Sequence, residues 1–488
     1  MKPKYIFLIV LLIWQLSESS CKKLIEVSPP STAVTGNAVF SSDATAIATL
    51  TGIYATISTS STATAGSIPS LSLYPGLSSD ELTLWSNSGN LQGTAYYQNA
   101  LTSGLSGYGS DYWSGFYPII FSCNAAIEGL KKGTGFTPSI QQQLLGEAYF
   151  MRAYCYFYLV NLYGDLPLAL TSDYAVNSKL SRTSSSQVFK QIVSDFQQAV
   201  SLLSTTYFDG TLLKSSVERV RPTKWAAEAM LARAYLYTGN WSGAQAQADL
   251  LLNNNSLFAL SSLDSTFLRA GLGNKEAIWQ LQPVNAGSNT EDAKAFIMDS
   301  SYGPGGGGNF GAYLSSALLD SFELGDNRRF NQHWIDSVNF QSTIYYFPIK
   351  YKVYLPVPDP SDVTEYLMML RLGETYLIRA EAKARQGDLS GAATDLNAIR
   401  ARAGLSGTSE TTQPGLIKAI LHERQVELFT EMGQRWLDLK RTGSIDAVMG
   451  VVTPQKSNGA SWNSYQQLYP VYYLDIQSDP NLKQNLGY

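Results

Sequence analysis

The chain has 488 residues, 35 basic against 39 acidic side chains for a net charge of −4, and only three cysteines and two histidines. The lack of any basic block beyond Lys22-Lys23 and Lys131-Lys132 argues against a nucleic-acid partner or an anionic membrane surface. With His333 and His422 as the whole histidine complement the spacings of a zinc site are absent, so no metal or other cofactor is expected, and a Ser-His-Asp or Cys-His enzyme would have to use one of those two.

The chain opens with Lys2 and Lys4, an apolar run Tyr5–Trp14, and small polar residues before Cys21. The run is shorter than the ~20 apolar residues needed to span a bilayer, and the pattern is that of a signal peptide over residues 1–20. Two fates remain open for Cys21: lipid attachment as first residue of the mature chain, or ordinary cleavage nearby that leaves a thiol. Glu18 stands where a lipid-attachment signal usually has an aliphatic residue.

A helix is predicted from Asp43 to Ser58, with Asp43 as its cap and Ile47, Leu50, Ile53, Tyr54 and Ile57 on one face. Residues 59–108, rich in Gly, Ser, Thr and Asn, show little periodicity and read as a long loop. Helix returns from Asp111 to Lys131. A long, largely buried helix follows from Gln141 to Leu162, stopped by Gly164 and Pro167. Cys123 and Cys155 lie in apolar, aromatic-rich settings and are expected as buried, unpaired thiols. Ser184–Leu203 is an amphipathic helix whose stripe is Val188, Ile192, Phe196, Ala199 and Leu203.

Two segments, from Met230 and from Ile378, resemble each other at a shift of 148 residues. They match at Ala232/Ala380, Ala234/Ala382, Gly239/Gly387, Ser242/Ser390, Gly243/Gly391 and Ala244/Ala392, the pattern of a tetratricopeptide-type helix pair. Between them, residues 272–360 are irregular. They hold a short strand in EAIWQLQPV, the run GPGGGG, read as flexible backbone because no Lys-[Ser/Thr] follows as a phosphate loop needs, and an aromatic stretch from His333 to Pro358. Helices resume at Val363–Arg385, Leu389–Ala401 and Leu416–Lys440, before a helix-poor tail. Glu423, Glu427 and Glu431 stand four apart, with Arg424 and Arg435 in reach. Ion pairing, including Glu431 with Arg435, is the expected role, rather than the paired carboxylates of a glycosidase.

Four stretches together resemble the SusD/RagB family of outer-membrane lipoproteins over nearly the whole chain. They are GEAYFMRAYCYFYLVNLYGDLPL (Gly146–Leu168), LRLGETYLIRAEAKARQGDLSGAATDLNAIRARAGL (Leu370–Leu405), ILHERQVELFTEMGQRWLDLKRTG (Ile420–Gly443) and the terminal NLKQNLGY. Leu486 departs from the proline common there. The resemblance implies a mainly α fold, a SusD-like helical scaffold with tetratricopeptide-type pairs and long irregular loops. It implies one unit over residues 21–488: an N-terminal part (38–215), a helical repeat (216–270) and a C-terminal part (271–488) with a loop-rich insertion at 271–362. It further implies a non-catalytic protein, lipid-anchored to the outer membrane through Cys21 and facing outward, that binds glycan and delivers it to a SusC-like TonB-dependent transporter. Some relatives bind peptides, and a peptide- or protein-binding helical-repeat surface is the alternative.

The sequence carries 30 Tyr, 9 Trp and 19 Phe, and flat aromatic faces suit the C–H face of a pyranose. Ligand candidates are therefore argued from these residues. Trp85 lies in a polar loop with Asn87 and Asn90. Tyr302, Phe310 and Tyr313 flank the glycine run, and Trp334 and Tyr345 lie in the aromatic stretch. For each, packing against the scaffold is the competing role. Asp80 and Glu81 are adjacent and point apart, a poor acid/base pair.

Overall fold

The computed structural model describes residues 39–86, 88–330 and 332–488; the expected signal segment 1–20, Cys21 and Asn87 lie outside them. Helices of eight or more residues are numbered here. The first, α1 (Asp43–Thr59), is capped by Ser42 rather than Asp43, and buries Ala46, Leu50, Ile53, Tyr54 and Ile57 while Ile47 stays half-exposed. Asp43 instead occupies the first turn, where its charge suits the helix dipole, and accepts a hydrogen bond from the Thr137 N–H at 3.0 Å. Next come α2 (Asp111–Lys132), α3 (Pro138–Tyr163) and α4 (Ser185–Leu202), with a two-residue ladder of β2 (Leu166–Pro167) and β3 (Arg182–Thr183) between α3 and α4.

Helix α3 is the axis of the N-terminal half, packed by α1, α2 and α4 and buried on almost every face. Its two buried charges are each answered from another segment: Glu147 by Arg221 and Arg152 by Asp195, both at 2.7 Å. Cys123 and Cys155 are buried and free.

The repeat forms α5 (Lys224–Tyr237), α6 (Trp241–Leu252), α7 (Leu372–Gln386) and α8 (Leu389–Arg402). The equivalence extends to the caps. Gly239 and Gly387 both adopt positive φ at the turn, and Asn240 and Asp388 both accept a hydrogen bond from the N–H three residues on, Gly243 and Gly391. Though 148 residues apart, the two pairs pack together, with Ala232, Leu236 and Ala244 against Ile378 and Ala382. Small residues there let α6 lie against α7.

Several sequence expectations fail. The helix expected from Val363 begins only at Leu372, because Leu367–Arg371 is a strand (β8) paired antiparallel with β4 (Ala277–Leu281). Both strands are buried throughout, so no alternation marks them. The helix expected over Leu416–Lys440 is two, α9 (Gln413–Glu427) and α10 (Gln434–Arg441). They are separated where Thr430, Met432 and Gly433 take positive φ. The tail carries a further helix, α11 (Ile445–Lys456). The stretch 59–108 is no open loop either. Residues 68–82 are all buried and include two short helical turns, and Leu91–Tyr97 is a helix. Its hydroxyls bond inward, as Tyr74 does to the Ala63 carbonyl at 2.8 Å, so a polar composition is compatible with burial.

A buried ionic cluster joins the C-terminal segments. Arg371 donates to Glu276 (2.9 Å), Glu427 (2.6 Å) and Glu431 (2.6 Å). Arg328 pairs with Asp326 (2.7 Å), Glu423 (2.7 Å) and Glu427 (2.9 Å), and Arg402 with Glu276 (2.8 Å) and Glu427. Burial pushes the Glu427 carboxyl up, but Arg402, Arg371 and Arg328 outweigh it and hold it well below the usual carboxylate range. Glu431 pairs with Arg371 and Lys350 rather than with Arg435, which bonds Asp80, because the helix is broken between Glu427 and Gln434. Replacing Arg371 by Met leaves the buried Glu276 and Glu427 and the partly buried Glu431 short of a cation. R371M is expected to lower unfolding free energy by about 3–5 kcal/mol in urea titration, and a loss below ~1 kcal/mol would contradict the cluster's role.

Candidate functional site

Two small ladders build an aromatic surface. Strand β1 (Leu82–Leu84) pairs antiparallel with β5 (Ala312–Leu314), and β6 (Ile335–Phe340) with β7 (Thr343–Pro348). In the first ladder Leu82, Leu84, Ala312 and Leu314 point inward, so alternation leaves Thr83 and Tyr313, directly opposite each other, on the other face. The Tyr313 ring meets that of Tyr345 on β7 edge-on at 5.1 Å. A small core of Met298, Val338 and Phe347 supports both. Burial, with the neighbouring Tyr97 and Tyr345, pushes the Tyr313 hydroxyl up to about 12.

Trp85 follows β1 directly and is half-buried, its backbone N–H donating to the Gly311 carbonyl at 2.9 Å. Its indole lies on Gly305, where an added Cβ would stand 3.2 Å from the ring. The glycine run is stitched rather than free. The Asn309 side chain accepts from the Gly305 and Gly311 N–H groups (2.7 and 2.9 Å) and donates to the Gly303 carbonyl at 3.0 Å. Tyr302, 60% exposed, stands beside Gly306 and Gly307, and Gly303 packs on the Phe340 ring so closely that a Cβ would not fit. Trp85, Tyr302, Tyr313 and Tyr345 thus converge on one arc.

Phe340 and Tyr97 belong to the same arc and were missed in the sequence. Phe340 lies on the Val338–Tyr345 face of its hairpin, and Tyr97 sits beside Tyr313 with the Lys456 ammonium 4.9 Å from its ring centre. The hairpin register was the signal for Phe340; Tyr97 had none.

Three candidates have other employment. Trp334 is fully buried, donates from Nε1 to the Leu263 carbonyl (2.9 Å), and carries the Lys350 ammonium 4.5 Å from its ring centre. It cannot present a face to a ligand. Phe310 turns inward against Tyr74, ring centres 5.6 Å apart. The Asn90 oxygen caps the helix Leu91–Tyr97 through the Gly93 N–H at 2.8 Å. His333, adjacent to Trp334, is bonded to Asp264 at 2.9 Å.

Beneath the arc, Asp80 pairs with Arg435 at 2.7 Å while Glu81 accepts the Thr430 N–H at 2.9 Å, the two carboxyls pointing apart as expected. Burial pushes the Glu81 carboxyl up to about 7 against the Thr430 hydrogen bond and Lys350. Concave surface lies elsewhere. An open pocket of about 570 Å³ lies between α1 and α2, and another of about 320 Å³ is lined by Trp113, Tyr117, Phe121 and Tyr174. Neither touches the arc, which is an open surface. Among the described residues no group of three His, Cys, Asp or Glu could hold a metal ion.

Comparison with known proteins bears on both ends of the chain. A family described as "Starch-binding associating with outer membrane" matches residues 31–236, and the SusD family matches residues 334–488. A SusD-like protein of Bacteroides ovatus is 26% identical over 387 residues, covering 71% of this chain and 67% of that protein. A SusD superfamily structure from Bacteroides vulgatus superposes with a TM-score of 0.75 at 21% identity, covering 91% of this chain and 99% of the other. The surface glycan-binding protein A from Bacteroides fluxus does so at 0.72 and 22%, covering 92% and 100%. At these identities the structural matches establish the fold.

Glu81 yields a pH test. Its folded pKa lies above the unfolded value of ~4.3, so its contribution is fully present below that value and is lost as pH rises through about 7. E81Q does not titrate, so its stability relative to wild type is expected to increase between pH 5 and pH 8 in urea titrations. An unchanged difference would contradict a buried, protonated Glu81.

Proposed function

The chain belongs to the SusD/RagB family, and from that premise we propose that it is a non-catalytic surface lipoprotein that captures oligosaccharide on its aromatic arc and delivers it to a SusC-like TonB-dependent outer-membrane transporter. The observation that carries this reading is the convergence of Trp85, Tyr302, Phe340, Tyr345 and Tyr313 from four separate segments onto one open face. Indole and phenol faces stack on the C–H faces of sugar rings, and an open arc suits a chain of them. The glycan-binding character of relatives such as the Bacteroides fluxus protein supports the same ligand class.

Binding without turnover is favoured by the carboxylates. Glu423, Glu427 and Glu431, the spaced acids that might serve a hydrolase, are each committed to arginine or lysine in the interior. Asp80 and Glu81 face opposite partners. The helical-repeat surface loses weight as a peptide site because α6 and α7 pack against each other.

Cys21 is the proposed anchor, with its lipid holding the protein in the outer membrane. Radiolabelled palmitate is expected to enter wild type and not C21S; equal labelling of both would end the anchor reading. For the arc, affinity electrophoresis and calorimetry across a glycan panel should show W85A and Y302A each binding about 5- to 10-fold more weakly at unchanged stability. W334A should instead lose about 3–5 kcal/mol of stability, because it empties a core site. Glycan affinity untouched by W85A and Y302A would remove the arc as the site.

A further inference from the structure

The β6–β7 hairpin closes through two residues, Gln341 and Ser342, between the paired Phe340 and Thr343. Both take positive φ, +50° and +64°, as a two-residue hairpin turn of this hand requires. Asn-Gly is the sequence such turns prefer, since Gly has no Cβ to clash and Asn tolerates the left-handed region. Gln and Ser there make the turn less stable than it could be. Neither side chain is hydrogen-bonded to another described residue, and both are exposed. The stability of the fold does not explain them.

Their position does. The tip adjoins Phe340, which packs on Gly303 beside Tyr302, at the edge of the aromatic arc. Thr343, paired with Phe340 on the same face, is exposed, so it and the tip offer uncharged donors and acceptors where a sugar laid across Tyr302 and Phe340 would turn its hydroxyls. The tip residues are uncharged, and the Lys456 ammonium over Tyr97 is buried and donates to the Leu77 and Ser79 carbonyls, so it is not free to meet a sulfate or carboxylate. Building on the glycan reading above, we propose that the Gln341–Ser342 tip is the specificity element of the site, and that it selects an uncharged oligosaccharide by hydrogen bonds to its hydroxyls. The aromatic arc supplies sequence-tolerant stacking; the tip discriminates between sugars.

The test is Q341N/S342G in the full chain, beside wild type and W85A, titrated calorimetrically with neutral, uronate-containing and sulfated oligosaccharides. The double variant is expected to melt about 1–3 °C higher, from the relaxed turn, while binding the preferred neutral glycan at least ~5-fold more weakly and with its preference among neutral sugars flattened. W85A should weaken all neutral ligands alike and keep their order. A Q341N/S342G protein with wild-type affinities and order, for ligands that W85A weakens, overturns the tip assignment and leaves the glycan reading standing. Preference of wild type for a sulfated or uronate glycan overturns the neutral selection. Wild type that binds no glycan overturns the glycan reading and the tip assignment together.

Discussion

The charge cluster around Glu427 is the constraint from which most of the C-terminal half follows. Glu427 receives Arg328, Arg371 and Arg402, three cations from three distant segments, and Glu427, Arg328 and Arg371 are buried while Arg402 is only partly exposed. Withdrawing so many charges from water is costly, and the cost is offset only when every partner is in place. Glu276 ahead of β4, Arg371 at the end of β8, Arg402 at the end of α8 and Glu423 on α9 must therefore meet together. Register between β4 and β8, and the approach of the α8 C-terminus to Glu276 through Arg402, are consequences.

The same cluster reaches the candidate site through one lysine. Lys350 bonds Glu431 at 2.6 Å and donates to the carbonyls of Glu427 and Phe429 at 2.8 and 2.9 Å. Those carbonyls lie where α9 ends, so the lysine meets groups that a continuous helix would have bonded internally. Burial lowers its pKa to about 8, opposed by Glu431, and the Phe429 and Trp334 rings enclose it at 3.8 and 4.5 Å. The backbone released by the break turns the Thr430 N–H toward Glu81. Glu81 leads directly into β1, and β1 into Trp85. The placement of an aromatic face at the surface thus depends on an ion pair inside.

The repeat supplies a different kind of order. Its two helix pairs pack as neighbours although a long excursion separates them, and that excursion carries β5, the glycine run and the β6–β7 hairpin. Helices of high local propensity fix the frame; the irregular chain between them bears Tyr302, Tyr313, Phe340 and Tyr345. Loops held by a rigid scaffold are where binding residues concentrate.

What the sequence determined by itself was local. The helices α1 to α8 are legible within a few residues, apart from the first residues expected of α7, because turns such as Gly164 and Gly387 and stripes such as Val188–Ile192–Phe196 depend on neighbours a few positions away. The repeat was visible for the same reason, as were the family motifs. Tertiary structure decided the rest. It decided that Leu367–Arg371 is a strand, since a run buried on both faces has no period to read. It broke the helix after Glu427 through contacts from Lys350 and Glu81, hundreds of residues away in the second case. It also separated Trp85 from Trp334. Residue type says that an indole will find an apolar surface, but only the packing around it says whether both faces are covered. Trp334 has Lys350, Phe267 and Phe429 about it, while Trp85 rests on a glycine with its surroundings half-open.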